Sequence, residues 1–396
     1  MFVQKNWGTT MNDYLSTLIE IENYDAIYEL GLKFYSGDGV DLDYTRAKEC
    51  FEVVASKGVG GANLYLGLMY YYGNGAEIDY AKARGYLQQN DIYKANNVTK
   101  KIYADILYKE GKENPGEMKR AYEVYKDIVE SKGVNHDIVI SAKFKMGYML
   151  YNGLGVGQDY QKAKDLLVDC YFETENRVMK TLTANALGKI HYLYTQEGAD
   201  YKKAKDYFEF AAANDDYEAK CFLGEIYYKG NGVEKDLNKA KGYFEEASSR
   251  EITDANCYLG LMYFNGEGVE RNTQTAKYYF QKAEDKNSNV KHYLGLMFYN
   301  GDGEARDYIK AKNYFEESAK NGNKTSNYYL GKLYYWGDGV ETDHKKARTY
   351  FEISAEGNIE DSKEYVGKIY TEEAKDYLSK AANIGNEEAK NLLKLF

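Results

Sequence analysis

The chain has 396 residues, with 62 acidic against 52 basic side chains and a net charge of −10. No stretch runs long on Lys and Arg alone, which excludes a nucleic-acid coat, because phosphate binding draws on a basic surplus that releases counterions. A mean hydropathy of −0.68, with no run of about 18 to 20 apolar residues, excludes a membrane-spanning helix. Tyr occurs 44 times against 15 Phe and 2 Trp. A ring with a wet hydroxyl suits thin cores and interfaces, so self-association is left open.

The N-terminal stretch MFVQKNWGTTMNDYLST has no apolar core followed by a small-residue cleavage site, unlike a secretory signal. The expectation is a cytoplasmic protein, with non-classical export not excluded. Residues 1–23 read as an N-terminal cap with a lone helix around NDYLSTLIEI.

From 24 to 384 the chain repeats itself. The segments YLGLMYYYGNGA, FLGEIYYKGNGV, YLGLMYFNGEGV, YLGLMFYNGDGE and YLGKLYYWGDGV share one template. Its Gly falls at Gly31, Gly67, Gly147, Gly188, Gly224, Gly260, Gly295, Gly331 and Gly367, and Ala104 fills the one gap. The last six are spaced by 36, 36, 35, 36 and 36 residues. A second anchor, an Ala among basic and aromatic residues, recurs in step at Ala47, Ala83, Ala121, Ala163, Ala204, Ala240, Ala276, Ala311, Ala347 and Ala374. Two anchors in phase make about ten repeats.

Each repeat predicts two helices. In the first, A, apolar residues such as Ala255, Tyr258, Leu259, Met262 and Tyr263 recur at three- and four-residue steps, the mark of one helical face. A Gly-x-Gly such as Gly266 and Gly268 ends it, since Gly takes the left-handed C-cap freely. The second, B, opens on an Asp four residues before the anchor Ala, as at Asp236 and Asp307, a short acceptor able to cap the first turn. The Gly inside helix A costs about 1 kcal/mol relative to Ala; close approach of a neighbouring helix, presenting its own anchor Ala, is the expected compensation. The repeats lengthen between about 100 and 185, where extra residues in GKENPGEM, SKGVNHDIVI and YFETENRVMKTL are expected to form loops. In the last repeat the Gly-x-Gly loop is shortened, and residues 385–396 read as a C-terminal capping helix.

The template A-x-x-x-L-G-x-x-Y-x-x-G-x-G-V followed by D-x-x-K-A-x-x-Y-F-x-x-A closely resembles the Sel1-like repeat, a relative of the tetratricopeptide repeat. The resemblance implies an all-α, right-handed α-α superhelix with A helices on the concave face and B helices outside. It also implies scaffolding of proteins or peptides without catalysis in most members, which include quality-control adaptors and many bacterial proteins. The chain departs from the disulfide-rich members, because Cys221 and Cys257 have no helix B partner in their own repeats.

Other chemistry is sparse. Cys50, Cys170, Cys221 and Cys257 lie 120, 51 and 36 residues apart with no metal or redox spacing, and read as free packing thiols. His136, His191, His292 and His344 form no metal motif and read as surface or interface residues. The Gly-x-Gly turns follow helices and lack the strand and the Lys of a phosphate loop. The paired Glu of helix B, such as Glu245 and Glu246, recurs from repeat to repeat and marks a solvated face. Lys and Arg form a ladder beside the anchor Ala that i to i+4 Glu residues neutralise. No cofactor, metal or catalytic group is expected.

Function is expected where helix A departs from its template. If those positions face a groove, Leu68, Tyr72, Tyr148, Leu261, Leu296, Tyr328 and Trp336 form an aromatic and aliphatic track for a protein or peptide. The competing reading is packing between adjacent A helices. The expected role is a non-enzymatic adaptor, of which a bacterial regulatory or immunity protein is one variant; the alternative is a host-directed effector.

Overall fold

The computed structural model describes residues 7–58, 60–94, 96–194, 198–284, 288–303 and 305–396. The first six residues of the expected N-terminal cap lie outside them. Among the described residues every regular element is helical. After α1 (Trp7–Glu20) come nine A/B pairs: α2 (Tyr24–Ser36) with α3 (Tyr44–Ala55), α4 (Gly60–Tyr72) with α5 (Tyr80–Gln88), α6 (Asn97–Glu110) with α7 (Pro115–Glu130), α8 (His136–Asn152) with α9 (Tyr160–Glu173), and α10 (Arg177–Leu193) with α11 (Tyr201–Ala212). The series continues with α12 (Tyr217–Lys229) and α13 (Leu237–Ser248), α14 (Thr253–Asn265) and α15 (Thr273–Ala283), α16 (Ser288–Asn300) and α17 (Tyr308–Lys320), and α18 (Lys324–Trp336) and α19 (His344–Ala355). The chain ends with α20 (Glu360–Asn383) and α21 (Glu387–Leu393). It packs as two compact bodies, Met1–Asn214 and Asp215–Phe396. Within each, an A helix lies against its own B helix and that B helix against the next A helix, which is the layout of an α-solenoid.

Local chemistry sets the ends of the helices. The Asp236 side chain accepts a hydrogen bond from the backbone N–H of Lys239 at 3.0 Å. The Lys239 ammonium turns back to Asp236 at 3.7 Å and lies over the Tyr227 ring. The same trio recurs as Asp343, Lys346 and Tyr334 and as Asp79, Lys82 and Tyr70. Backbone N–H bonds hold the carboxyls of Asp79, Asp159, Asp200 and Asp307 below the usual carboxylate range. On the far side of the anchor Ala, Lys241 meets Glu245 at 2.8 Å. The basic ladder is thus occupied on both sides of the anchor. At the other end of the hairpin, Gly266 at φ +75° caps α14, its N–H bonding the Met262 carbonyl. Gly268, also left-handed, seats against the preceding B helix, where a Cβ would stand 2.5 Å from the Cβ of Leu237.

The Gly within helix A is explained chiefly by a large helix-B side chain, with the expected anchor Ala also close in two repeats, where the Ala83 and Ala163 carbonyl oxygens would stand 3.4 Å from a Cβ on Gly67 and Gly147. A Cβ on Gly260 would stand 2.5 Å from the Phe280 ring, and one on Gly331 2.7 Å from the Phe351 ring. In eight repeats the residue pressed against the Gly is the one twenty positions later, Phe in six and Leu in two (Leu87 and Leu167). Five of the six Phe rings then stack on the Tyr two residues before the next helix-A Gly. Phe244 lies on Tyr258 at 4.7 Å and 5°, and Phe351 on Tyr365 at 4.6 Å and 7°. All six Phe are fully buried.

Three further expectations are corrected. The extra residues between about 100 and 185 largely extend helices instead of forming loops: α8 and α10 have 17 residues where α12 and α14 have 13. On the added turn of α8 the half-buried Ile138 packs on the core and helps offset the cost of the extension. The last repeat has no shortened loop at all, since α20 runs unbroken through both of its halves. His191 and His292 are buried between helices, with His292 Nδ1 2.9 Å from Ser326 Oγ.

Two measurements test this core. Gly260→Leu should destabilise the protein by about 1–3 kcal/mol through overlap with Phe280. Gly242→Ala in α13, where a Cβ meets nothing within 4 Å, should stabilise it by about 0.5–1 kcal/mol; equal melting temperatures for the two variants would refute the packing described. Burial lowers the pKa of His292 to about 4, so between that value and the unfolded pKa of about 6.5 the folded state binds fewer protons. Its contribution is complete above the higher value and is lost as pH falls toward the lower, at up to about 1.4 kcal/mol per pH unit. Urea titrations across that window should show the slope, and His292→Gln should reduce it.

Candidate binding face

Positions one and five after the helix-A Gly are one turn apart and share a face. On it the expected site residues divide into two kinds. Tyr72, Tyr148 and Trp336 carry their rings into solvent, at 55, 39 and 60 % exposure. Leu68, Leu261, Leu296 and Tyr328 are half-buried and pack on the cores beneath them. Two of the exposed rings are braced edge-on by their neighbours, Trp336 by Tyr335 at 4.8 Å and Tyr72 by Tyr71 at 4.9 Å. Tyr328 also donates a hydrogen bond to Asp361 at 3.3 Å. Leu68, Tyr72 and Tyr148 belong to the first body and the other four to the second.

In the second body this face opens into a groove of about 690 Å³. Its walls are Phe222 and Glu225 of α12, Asp254, Cys257 and Leu261 of α14, and Asn289 and Tyr293 of α16. Glu218 and Glu251 add to a lining that has four carboxylates and, among the described residues, no Lys, Arg or His. One turn beyond Glu225, Lys229 pairs with it. The Cys221 thiol registers the setting: burial first, then the charges of Asp254, Glu225 and Glu218, push its pKa far above the ordinary value. The Cys257 thiol is pushed up to about 12, again by burial first and then by Asp254. Both sulfurs stay protonated and serve as apolar lining rather than nucleophiles.

The first body holds a feature that reading the repeat template overlooked. In α6, where Ala104 replaces the Gly, the next residue is Asp105, in register with Leu68 and Leu261. Asp105 is buried and accepts hydrogen bonds from Tyr125 Oη at 2.5 Å, Lys101 Nζ at 2.7 Å and Tyr71 Oη at 3.4 Å. Burial, then the Asp105 charge, raises the Tyr125 pKa strongly. With both oxygens engaged, Asp105 ties α4, α6 and α7 together. The available signal was an Asp at that position in the one repeat whose Gly is replaced. Among the described residues no group of three or more His, Cys, Asp or Glu side chains could hold a metal ion, and no helix is long and apolar enough to cross a membrane.

Comparison with known proteins agrees with this architecture. The family model for the Sel1 repeat matches residues 25–59, 61–89, 140–167, 183–216, 218–251, 253–288, 291–323, 325–359 and 371–386. It passes over α6 and α7, which nevertheless form a helix pair. No curated protein matches the chain. Among solved structures, the protective antigen c5321 of uropathogenic Escherichia coli, which displays an SLR fold, aligns at a TM-score of 0.68 and 22 % identity, over 96 % of this chain and 82 % of that one. A Sel1 repeat protein from Oxalobacter formigenes aligns at 0.52 and 24 % identity, over 63 % of this chain and 99 % of that one. Such likeness shows the fold alone. With nine matched segments spread over most of its length, and a hairpin built on the same Gly, Ala and Gly-x-Gly anchors, the chain belongs to the Sel1 repeat family.

Proposed function

We propose that the protein is a non-catalytic adaptor whose helix-A face binds a protein or peptide, and that the second body's groove selects a segment carrying Lys or Arg beside apolar side chains. Sel1 repeats generally serve as protein-interaction scaffolds, and the fold is typically non-catalytic. The observation that carries the finer reading is the groove lining, four carboxylates around Leu261, Cys257 and Tyr293. Apolar side chains can sink between the A helices while a cation meets Glu218 or Asp254 at the rim. Complementary charge raises the encounter rate and rejects acidic segments. Trp336, on α18, supplies a braced aromatic surface of the kind that anchors interfaces; Tyr72 and Tyr148 offer the first body a similar patch. A regulatory or immunity adaptor and a host-directed effector would use the same face, and the identity of the partner separates them.

Peptide display against the whole chain, followed by fluorescence anisotropy on the selected sequences, tests the reading. The selected peptides should be enriched in Lys and Arg, and their affinity should fall with added salt. Asp254→Lys should weaken binding by about tenfold or more, and so should Trp336→Ala for peptides long enough to reach it. Selection of acidic peptides, or binding untouched by Asp254→Lys, would remove the groove from consideration.

A further inference from the structure

The tenth repeat keeps its anchors and has lost its turn. Gly367 stands in the A half of α20, while Ala374 and Leu378 stand in the B half at the same step as Ala347 and Phe351 in α19. In the ninth repeat sixteen residues separate Gly331 from Ala347, enough for a Gly-x-Gly turn and a capped helix start; only seven separate Gly367 from Ala374. An unbroken helix cannot fold back on itself, so Leu378 lies about 16 Å along the axis from the Gly it would cover in a hairpin.

Burial records the missing partner. Gly331, Ala347 and Phe351 are buried, whereas Gly367 is exposed and Ala374 and Leu378 are only half-buried. A Cβ on Gly331 would collide with Phe351, while one on Gly367 meets nothing within 4 Å. Spacings of four, seven and eleven residues return to the same side of a helix, so Gly367, Thr371, Ala374 and Leu378 form one stripe. A different side of α20 is already engaged, Ile369 with Phe351 and Ala347, and Glu373 with Arg348 at 2.5 Å. Exposed apolar residues follow along the B half and beyond it, Tyr377 at 71 % and Ile384 at 87 %.

We propose that this stripe pairs with the same stripe of a second copy of the chain, the two α20 helices lying antiparallel about a two-fold axis between residues 372 and 373. The retained anchors argue for a copy rather than another protein, because α20 carries both of the halves that pair in eight hairpins of this chain. In the hairpins the Gly faces the residue four after the anchor Ala, as Gly331 faces Phe351. Antiparallel register then sets the residue four after the Gly opposite the anchor itself. In two crossed α20 helices the corresponding pairs, Gly367 with Leu378 and Thr371 with Ala374, are nested about that single midpoint. One axis satisfies both, and symmetry forms each twice. The A half of one chain thereby receives the B half of its partner, an exchange that shortened hinges favour. Eight hairpins within the chain already use this pairing.

Sedimentation equilibrium of the whole chain should show reversible association to twice the monomer mass. Leu378→Glu and Gly367→Leu should each raise the dimer dissociation constant by at least about tenfold with an unchanged far-ultraviolet spectrum. A third variant tests the cause: inserting a copy of residues 336–344 after Thr371 restores the sixteen-residue spacing, and should close the hairpin and yield a monomer. A wild-type chain that stays monomeric at every concentration, or a dimer that survives both Leu378→Glu and the insertion, overturns the proposal.

Discussion

The contact on which the rest of the architecture depends is the Phe ring lodged beneath a missing Cβ. Phe280 touches three helices at once: it projects from α15, presses on Gly260 of α14 and stacks on Tyr293 of α16. One side chain therefore sets the closeness of the hairpin and the placement of the next one. Glycine is tolerated in mid-helix because the ring occupies the space a methyl group would claim, and dispersion across a well-filled contact offsets the lost propensity. Much of the tyrosine excess follows. Each ring needs a flat partner whose hydroxyl can still reach water at the edge of a two-layer stack, and Tyr meets both needs.

Much of this was legible in the sequence, and the boundary of legibility is physical. Asp236, Gly266 and the apolar spacing of α14 act over four residues or fewer, so their roles can be read locally. The partner of Gly260 lies twenty residues away, and nothing local distinguishes contact with Ala276 from contact with Phe280. The insertions misled because extra residues were assigned to loops, although a helix accepts whole added turns at little cost when it has apolar residues to bury. His292 looked polar in isolation; its burial depends on Ser326, a residue of the next A helix.

The binding face shows the same division more sharply. Of the seven residues expected to form the track, three, Tyr72, Tyr148 and Trp336, are exposed rings. The acidic groove could not be read one helix at a time. Glu225, Asp254 and Asn289 come from three A helices, and only stacking brings them to one rim. Asp105 was hidden differently, inside the one repeat whose Gly is replaced, where the template itself drew attention away. In a solenoid the packing residues recur and are conspicuous, while recognition residues stand out only once neighbouring repeats are set side by side.

The nine-residue difference between the last two repeats carries a consequence for how such arrays change over generations. Because five of the six Phe are held by their own hairpin and the one that follows, a whole module can be duplicated or excised and both new junctions will meet familiar surfaces. Copy number is therefore free to drift. A deletion that is not a whole module has no such freedom: in α20 the loss of a turn leaves both halves intact in composition and without each other in space. The phase of the array, more than its length, is what selection has to guard.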